Sequence, residues 1–413
     1  MKTLFVTPFS PYPPDFGGAI RIYHMLKMFA SLSDVTLLMY AGRGPSGDSV
    51  GHLETICERV VAVPGPPTEA APKWLLQARG TLGSRPFQYF AHYSQRFQRA
   101  LDETIQATPF DYVVVNLSQM GYFRYPRIAG SYILDLQNIE FELLERRAAV
   151  QSHPLRRAAL ALEARKFRRD ELAICRRFDL IFTPSERERD QLRALLGPSA
   201  ITCLPNSIDP DYFAMRATEP PGNEIAFIGT THVDANRDGL VYFMERIFPL
   251  IERRVPDVRF SIVGGNPPPV IRQYGARPNV EVTGYVKDVR PYMARARALV
   301  VPLRSGGGTR LKILEGLSFG VPTVSTTIGA EGLDLVHGEH ILLGDTPEAF
   351  AAGVVAALGD AGLRQRLRAA GRAVVEQRYS WQAVGRVLEQ HLRGIARPEP
   401  AAGGSPKLAE SPR

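Results

Sequence analysis

Short apolar runs alternate with longer stretches of mixed polarity along the first 200 residues. The runs are rich in β-branched residues and lack regular polar alternation, which is typical of strands buried on both faces. Such strands, separated by helices, predict βα units that feed a mostly parallel sheet. The predicted strands are Thr3–Thr7, Val35–Tyr40, Val60–Val63, Tyr112–Asn116, Ser131–Asp135 and Leu180–Thr183, with helices beginning near Ala19, Ser94 and Ser185.

The alternation stops in a segment rich in proline, glycine and asparagine and then restarts. The segment runs from Leu204-Pro205-Asn206 to Pro220-Pro221-Gly222-Asn223, and these residue types disfavour regular structure. After it, a second set of buried strands predicts a second doubly wound sheet. These strands are Glu224–Ile228, Arg259–Val263, Val280–Thr283, Ala298–Pro302, Thr323–Ser325 and Ile341–Leu343.

We therefore predict an α/β protein with two doubly wound Rossmann-like domains that face each other across a cleft. The first domain covers residues 1–205, and a linker covers 206–222. The second covers residues 223–396, and its last helix could pack back on the first domain. Residues 397–413 are rich in Pro, Gly, Ala and Ser without apolar periodicity, which predicts a disordered tail.

Composition narrows the class of protein. A chain of 413 residues with 45% hydrophobic and 22% charged residues is neither a disordered nor a fibrous sequence. Cys57, Cys175 and Cys203 are too scattered for a disulfide framework or a zinc site, as is usual in a reducing compartment.

The N-terminal apolar run is soon interrupted by prolines, and no uncharged apolar run reaches the ~18 residues of a membrane span. We expect a cytoplasmic protein.

The net charge of +8 favours an anionic partner without identifying it. Nucleotides, nucleic acid and anionic lipid remain open on charge alone. The excess is concentrated in Phe141–Phe178, where ten Arg or Lys residues face five Asp or Glu residues. As a helix, this stretch either contacts an anionic membrane surface peripherally or is a solvated face with interleaved carboxylates.

A glycine-rich turn between a strand and a helix is the most informative segment. Backbone N–H groups and the positive end of the helix converge there, as binding of a diphosphate requires. Arg310 and Lys312 lie where cations are unfavourable unless an anion offsets them, and Glu315 could accept hydrogen bonds from ribose hydroxyls. Alternatively, the turn is only structural, the two cations are solvated, and Glu315 pairs with one of them. The predicted donor-binding residues of the turn are Gly306, Gly307, Gly308 and Thr309.

A second glycine pair connects the first strand to the first helix. Gly17 and Gly18 permit close approach of the backbone to a ligand, and Arg21 on the first turn is expected to face the same space. An ordinary structural turn is the alternative. The pattern is not the Gly-x-Gly-x-x-Gly fingerprint, so a Rossmann dehydrogenase is not indicated.

Further polar residues follow the strands, where open α/β sheets bind their ligands. In the first domain Asn116, Asn138 and Glu140 either line the cleft or, for Asn138, cap a helix. In the second domain Gly229 ends a strand, and Arg237 in the following loop either reaches a phosphate or is solvated. The eight histidines are dispersed and indicate no metal site. We expect catalysis by positioning and charge stabilisation.

Together these motifs resemble the GT-B-fold glycosyltransferases of family 4, a retaining class that uses nucleotide-sugar donors. The resemblance covers nearly the whole chain. It rests on Gly17-Gly18 with Arg21, Leu134–Glu140, Leu204–Asp209, Phe227–Gly229, Ile262–Gly264 and the run from Gly306 to Pro322.

The resemblance implies that the glycine-rich helix start and basic side chains hold the donor diphosphate, while the second glutamate of a Glu-x7-Glu motif holds the ribose. Glu315 matches that second glutamate, and Gly307 stands where the first is expected. No clear basic pair follows the first strand of the second domain, so Arg237, Arg310 and Lys312 are the expected substitutes. Arg310, Lys312 and Glu315 are the predicted catalytic residues.

The resemblance also implies an activity: transfer of a sugar, with retention, to a glycan or polyprenyl-linked acceptor by a hexosyltransferase-type enzyme. The pathway expected is cell-surface polysaccharide or glycolipid biosynthesis, with no metal, no other cofactor and no nucleic-acid partner. Two alternatives stay open. One is a nucleotide-sugar 2-epimerase of the same fold, which the dispersed histidines do not favour, and the other is a non-catalytic protein that binds a nucleotide or polyanion.

Overall fold

The computed structural model describes residues 1–41, 47–66, 68, 71–126 and 128–395. The chain divides into two compact units, one formed by Met1–Pro205 with the residues from Gly385 onward and the other by Asn206–Val384. The last helix, Trp381–Gly394, therefore begins in the second unit and ends in the first. The predicted disordered tail lies outside the described residues.

The first unit is built on a parallel sheet. Within the described residues the sheet has seven strands in the order β3-β2-β1-β4-β5-β6-β7. The six predicted strands are present, and the short edge strand β7 was not predicted. The strands are β1 Lys2–Thr7, β2 Asp34–Ala41, β3 Arg59–Pro64, β4 Tyr112–Asn116, β5 Ser131–Asp135, β6 Leu180–Thr183 and β7 Ile201–Cys203.

Helices cover both faces of this sheet, since successive residues of its central strands are buried. Val113, Val114 and Val115 of β4 are all fully buried although their side chains point to alternate faces. Ser94 and Ser185 cap the helices expected to begin near them, each accepting a backbone N–H with its hydroxyl. The helices are Gly17–Leu32, Gly47–Glu54, Lys73–Leu82, Phe87–His92, Gln95–Ala107, Glu140–Val150, Pro154–Cys175 and Glu186–Leu196, with a 3-10 turn at Ser118–Tyr122.

The second unit repeats the architecture. Its parallel sheet has, within the described residues, six strands in the order β10-β9-β8-β11-β12-β13. The predicted strands are all present, with ends that differ by one residue at three of them. The strands are β8 Glu224–Ile228, β9 Arg259–Val263, β10 Val280–Gly284, β11 Ala298–Val301, β12 Thr323–Ser325 and β13 Leu342–Leu343.

The helices of the second unit pack on both faces of its sheet. Two of them continue through a π-helical turn, at Phe243–Ile247 and Val375–Tyr379. No helix in the described part of the chain is long and apolar enough to cross a bilayer. The helices are Asp234–Tyr242, Phe248–Glu252, Pro269–Arg272, Arg290–Arg295, Leu311–Phe319, Pro347–Gly359 and Ala361–Val374.

Arginine side chains attach the predicted linker, residues 206–222, to the second unit. Nη1 of Arg372 donates to the carbonyl of Pro210 at 3.0 Å. Nη2 of Arg297 donates to the carbonyl of Pro220, also at 3.0 Å. The segment therefore packs as part of the second unit.

Candidate functional site

The carboxyl ends of β8 and β9 approach each other closely in the second unit. The backbone N–H of Gly229 donates to the carbonyl of Val263 at 2.9 Å. A Cβ on Gly264 would lie only 2.0 Å from the carbonyl oxygen of Gly229, so a side chain at 264 is excluded. Gly229 itself has φ of +149°, a conformation that favours glycine. Bare backbone is thus exposed at the sheet edge where α/β folds bind ligands.

The side chain of Lys312 reaches this edge from the start of helix Leu311–Phe319. Its Nζ donates to Oδ1 of Asn236 at 3.0 Å and lies 4.3 Å from the centroid of the Phe227 ring. A Cβ on Gly229 would lie 2.4 Å from the same Nζ, so the ammonium occupies the space that the glycine leaves open. The Lys312 side chain therefore places a basic group at the end of β8, where the residues that directly follow the strand provide no clear basic pair.

Asn236 is a site residue that no sequence motif indicated. Its Nδ2 donates to the carbonyl of Thr230 at 2.9 Å, which fixes the amide and directs Oδ1 toward Lys312. The only signal in the sequence was its position shortly after β8, in a stretch expected to be a loop.

Glu315 lies about one turn after Lys312 on the same helix. Burial raises the pKa of its carboxyl to about 7, although Lys312 acts in the opposite direction. Burial and the charge of Arg310 lower the pKa of Lys312 to about 7, and Glu315 opposes them. Within the described residues the Glu315 carboxylate accepts no hydrogen bond and forms no ion pair with either cation. Glu315 and Lys312 thus interact electrostatically without forming a contact ion pair.

Two glycines of the glycine-rich turn have positive φ values, a backbone conformation that other residues rarely adopt. Gly306 and Gly308 have φ of +112° and +74°. Arg310 stands directly before the helix and folds back, so that Nη1 donates to the carbonyls of Gly307 and Gly308. Arg310 is thus not simply solvated. In the described part of the chain, the buried Oγ1 of Thr309 has no hydrogen-bond partner, which leaves a polar atom available beside the turn.

Arg237 was predicted to lie in a loop. In the structure it lies on the helix Asp234–Tyr242. Its Nη2 is 2.7 Å from Oδ1 of Asp234, and its side chain is 42% exposed. The pair is of the i,i+3 type usual on a solvated helix surface. The structure thus favours the solvated alternative for Arg237.

The glycine pair of the first unit begins the helix Gly17–Leu32. Gly18 is packed against Gln137, whose Nε2 donates to the Gly18 carbonyl at 3.1 Å. A Cβ on Gly18 would lie 2.7 Å from Oε1 of Gln137, whereas a Cβ on Gly17 would meet nothing within 4 Å. The absence of a side chain at Gly18 therefore leaves room for the Gln137 side chain. Gly17, in contrast, faces open space.

Arg21 does not face a ligand space, which corrects the prediction. The side chain is buried, with Nη2 2.5 Å from Oδ1 of Asp135 and Nε 3.1 Å from Oδ2. Nη1 donates to the carbonyl of Leu204 at 2.9 Å. A buried carboxylate at the end of β5 requires such a partner, since an unpaired charge there would be costly. The Arg21 side chain thus connects the helix Gly17–Leu32 to β5 and to Leu204, which directly follows β7.

Asn116, Asn138 and Glu140 follow β4 and β5 as predicted. Nδ2 of Asn116 donates to the carbonyl of Val6 at 3.0 Å and so connects β4 to β1. In the described residues the buried Oδ1 atoms of Asn116 and Asn138 have no hydrogen-bond partner. Burial raises the pKa of Glu140, against the effects of Arg147 and Asn138.

A distant carboxylate, Glu171, caps the helix Glu140–Val150. Its Oε2 accepts the N–H of Phe141 at 3.0 Å, and its Oε1 accepts the hydroxyl of Ser118 at 2.5 Å. Burial raises its pKa to about 8. Glu171 could not be selected from the sequence, because a cap supplied from another helix leaves no local pattern.

Comparison with known proteins agrees with this geometry. Residues 222–360, which contain the whole site of the second unit, match the family described as glycosyl transferases group 1. A phosphatidyl-myo-inositol mannosyltransferase of Mycobacterium tuberculosis is 30% identical over 222 residues, 50% of this chain and 57% of that protein. An uncharacterized 44.6 kDa protein in the cps region of Klebsiella pneumoniae is 21% identical over 86% of this chain and 90% of its own length.

Solved structures show the same fold over nearly the full length. Sucrose-phosphate synthase from Thermosynechococcus elongatus superposes with a TM-score of 0.69 at 15% identity, covering 96% of this chain and 99% of that one. Anabaena HepE, solved in complex with UDP-glucose, has a TM-score of 0.64 at 13% identity, covering 96% of this chain and 100% of that one.

The chain therefore has a GT-B fold with two Rossmann-like domains, and residues 222–360 match a glycosyltransferase family. The predicted fold class is thereby confirmed, and the matches to glycosyltransferases support the predicted hexosyltransferase-type enzyme.

Proposed function

We propose that the second unit binds a nucleotide-sugar donor and that the enzyme transfers its sugar, with retention, to a glycan or polyprenyl-linked acceptor. The process is glycolipid or cell-surface polysaccharide biosynthesis in the cytoplasm. The observation that carries the proposal is the position of Lys312 Nζ, 3.0 Å from Asn236 at the end of β8 and beside a glycine-rich helix start. The relatives named as mannosyltransferases of phosphatidylinositol lipids support the glycolipid assignment.

The diphosphate is assigned to the turn at 306–308 and the N-terminus of helix Leu311–Phe319. Unpaired backbone N–H groups at a helix start bind phosphate oxygens, and the helix dipole favours negative charge. The amino group of Lys312 lies at the same place, and a bound diphosphate favours its protonated, positively charged form. When the bond between the sugar and the diphosphate breaks, charge develops on the departing phosphate oxygen. A cation fixed in position stabilises this charge without reorganisation.

The ribose is assigned to Glu315. Its carboxylate is not committed to any hydrogen bond within the described residues, and it is adjacent to the cation that would hold the phosphates. A free carboxylate can accept from two vicinal hydroxyls. The UDP and UDP-glucose complexes of Anabaena HepE support a nucleotide-sugar donor for this fold.

The acceptor is assigned to the first unit. Gly17 has open space beside it, and Asn116 and Asn138 each carry a buried oxygen without a partner in the described residues. These groups stand near carboxyl ends of strands, where a polar ligand would complete their hydrogen bonds. The proposed reaction uses no metal and no other cofactor.

The experiment is a turnover assay on a panel of UDP-, GDP- and ADP-sugars with wild-type protein, Lys312→Ala and Arg310→Ala. Loss of a charge-stabilising donor is expected to lower turnover about 10²- to 10³-fold while the melting temperature changes little. Arg237→Ala is the matched control, because it removes a cation from the neighbouring helix that pairs with Asp234 on the surface.

Three outcomes would contradict the proposal. Collapse of the variants in thermal melts, with unchanged activity per folded molecule, would make the two cations structural. A thermal shift with nucleoside diphosphate but no turnover on any donor would indicate a binding protein. Loss of turnover after dialysis against a chelator would contradict the metal-independent mechanism.

A further inference from the structure

A group of arginines, called here the arginine cluster, lies in the second unit near the amino ends of β8 and β11. Arg216 belongs to the segment before β8, and Arg297 directly precedes β11. Arg364 and Arg368 lie about one turn apart on the helix Ala361–Val374. β8 and β11 are parallel, and the proposed donor site is at their carboxyl ends. The arginine cluster therefore lies at the opposite edge of the sheet from that site.

Glu219 neutralises part of the arginine cluster. Nε and Nη2 of Arg364 each lie 2.9 Å from Oε2 of Glu219. Nη1 of Arg368 lies 3.4 Å from Oε1 of the same carboxylate. Arg216 and Arg297 form no ion pair with the described residues. The arginine cluster thus contains more positive charge than Glu219 offsets.

The guanidinium of Arg216 has one edge without hydrogen-bond partners. The residue is 8% exposed, and its Nη1 donates to the carbonyl of Ala296 at 2.5 Å. Its Nε and Nη2 are buried and have no hydrogen-bond partner among the described residues. These two nitrogens form the edge with which an arginine binds the oxygens of a carboxylate or phosphate in a bidentate manner. Buried donors in native proteins are usually paired, and an ion is one of their partners.

The neighbouring arginines have the same surplus of charge and of donors. In the described part of the chain, the buried Nε atoms of Arg368 and Arg297 also have no hydrogen-bond partner. Burial and the charge of Arg368 lower the pKa of Arg216 to about 10, and Glu219 opposes this effect. Arg364 and Arg297 lower that pKa further. Like charges that repel one another in a buried place are stabilised by an anion.

Glu219 is the member of this group that water reaches most easily. Its side chain is 29% exposed, whereas that of Arg364 is 7% exposed. Ala217 and Thr218, which precede it, are exposed as well. Rotation of the Glu219 side chain into solvent would therefore open a path from the surface to the guanidinium groups.

We propose that the arginine cluster is a binding site for a phosphoryl group, which replaces the carboxylate of Glu219. A phosphoryl group has more acceptor oxygens and a larger negative charge than a carboxylate, so it can pair with more guanidinium nitrogens. The ligand is inorganic phosphate or a small phosphomonoester. The bound group attaches the segment 216–219 to the helix Ala361–Val374. This site is separate from sugar transfer, because the proposed donor site lies at the other edge of the sheet.

The test is a series of thermal melts of the full chain in sodium phosphate or glycerol phosphate, compared with sodium chloride at equal ionic strength. The rise of the melting temperature with ligand concentration gives an apparent affinity for each protein, relative to its own melting temperature without ligand. Glu219→Gln removes the competing charge, and Arg368→Gln removes a phosphate ligand. Glu252→Gln is the matched control, because Glu252 is 22% exposed in the same unit and lies 2.6 Å from a single arginine, Arg277.

We expect phosphate to bind about tenfold more tightly to Glu219→Gln and about tenfold more weakly to Arg368→Gln than to the wild type. The affinity of Glu252→Gln should equal that of the wild type. Since each affinity is measured within one protein, the Arg368→Gln result remains informative if Glu219→Gln does not fold. Binding of glycerol phosphate would support a phosphomonoester as the ligand, and binding of inorganic phosphate alone would support the free ion.

Two results would overturn the proposal. One is an equal effect of phosphate on the wild type, Glu219→Gln, Arg368→Gln and Glu252→Gln, which would show general stabilisation by a kosmotropic salt. The other is loss of phosphate binding in Lys312→Ala, which would place the phosphate at the proposed donor site. Retained phosphate binding in Lys312→Ala would support the arginine cluster whatever the outcome of the donor experiments.

Discussion

Nζ of Lys312 lies 3.0 Å from Oδ1 of Asn236, although 76 positions separate the two residues. The contact brings the helix that follows the glycine-rich turn to the end of β8. The sequence offers no clear cation directly after β8, and the structure supplies one from this helix instead. Gly229 makes the arrangement possible, since any side chain there would collide with the ammonium.

The first prediction concerns Asn236→Ala, which removes the anchor of Lys312. The Lys312 side chain would then become ordered only when the ligand binds. The resulting loss of side-chain entropy would make the binding free energy less favourable. We expect nucleoside diphosphate affinity to fall about tenfold, with little change in melting temperature. Titration calorimetry measures the affinity, and an unchanged Kd would show that Asn236 does not position Lys312.

The second prediction concerns Gly229→Ala. The new Cβ would lie 2.4 Å from Lys312 Nζ at a backbone φ of +149°, so it would both displace the ammonium and strain the chain. We expect loss of nucleoside diphosphate binding together with a stability decrease of about 1–3 kcal/mol.

Gly222→Ala is the control for this substitution. A Cβ at position 222 meets nothing within 4 Å, so both binding and unfolding should match the wild type. If Gly229→Ala behaved like Gly222→Ala in denaturant melts and in titration calorimetry, the close contact with Lys312 would not exist in solution.

The third prediction is a pH-dependent exchange of protons on binding. Lys312, with a pKa of about 7, is largely neutral at pH 8 in the free protein, and a bound diphosphate raises that pKa. Binding above pH 7 should therefore take up a proton at Lys312. Glu315, also with a pKa of about 7, must be ionised to accept ribose hydroxyls, so binding below pH 7 should release a proton.

Titration calorimetry in two buffers of different ionisation enthalpy measures this exchange at each pH. Lys312→Ala should abolish the uptake above pH 7, and Glu315→Gln the release below it. Identical binding enthalpies in both buffers across the pH range would refute both assignments.

The fourth prediction concerns the buried pair in the first unit. Arg21→Ala leaves Asp135, whose side chain is fully buried, without its ionic partner. We expect the first unit to lose about 3–5 kcal/mol of unfolding free energy, and Arg21→Met combined with Asp135→Leu to recover a large part of it. Denaturant unfolding measures both. A stable Arg21→Ala protein that lost only its transferase activity would restore Arg21 to the ligand-binding role expected from sequence.

Most of the fold could be predicted because strands buried on both faces are apolar throughout. β4 and β5 begin and end at the predicted residues, and so does β9 in the second unit. β7 was missed because Ile201–Cys203 is short and only its first residue is fully buried. Such an edge strand is fixed by pairing with β6, which the local sequence does not encode.

The candidate site could be predicted only in part. The glycine-rich turn has a local pattern, so Lys312 and Glu315 could be selected from sequence. The partner of Lys312 could not, because contact with Asn236 depends on how two elements pack. Arg21 was assigned wrongly for the same reason: its position beside a glycine pair is local, whereas its ion pair with Asp135 is a tertiary contact.

The most direct test of the central claim is calorimetric titration of UDP, GDP and ADP into wild-type protein and Lys312→Ala. We predict that at least one nucleoside diphosphate binds the wild type and that the variant binds it about 10- to 100-fold more weakly while its melting curve is unchanged. Equal affinity of the two proteins, or no binding of any of the three nucleotides, would contradict the assignment of this helix start to the donor diphosphate.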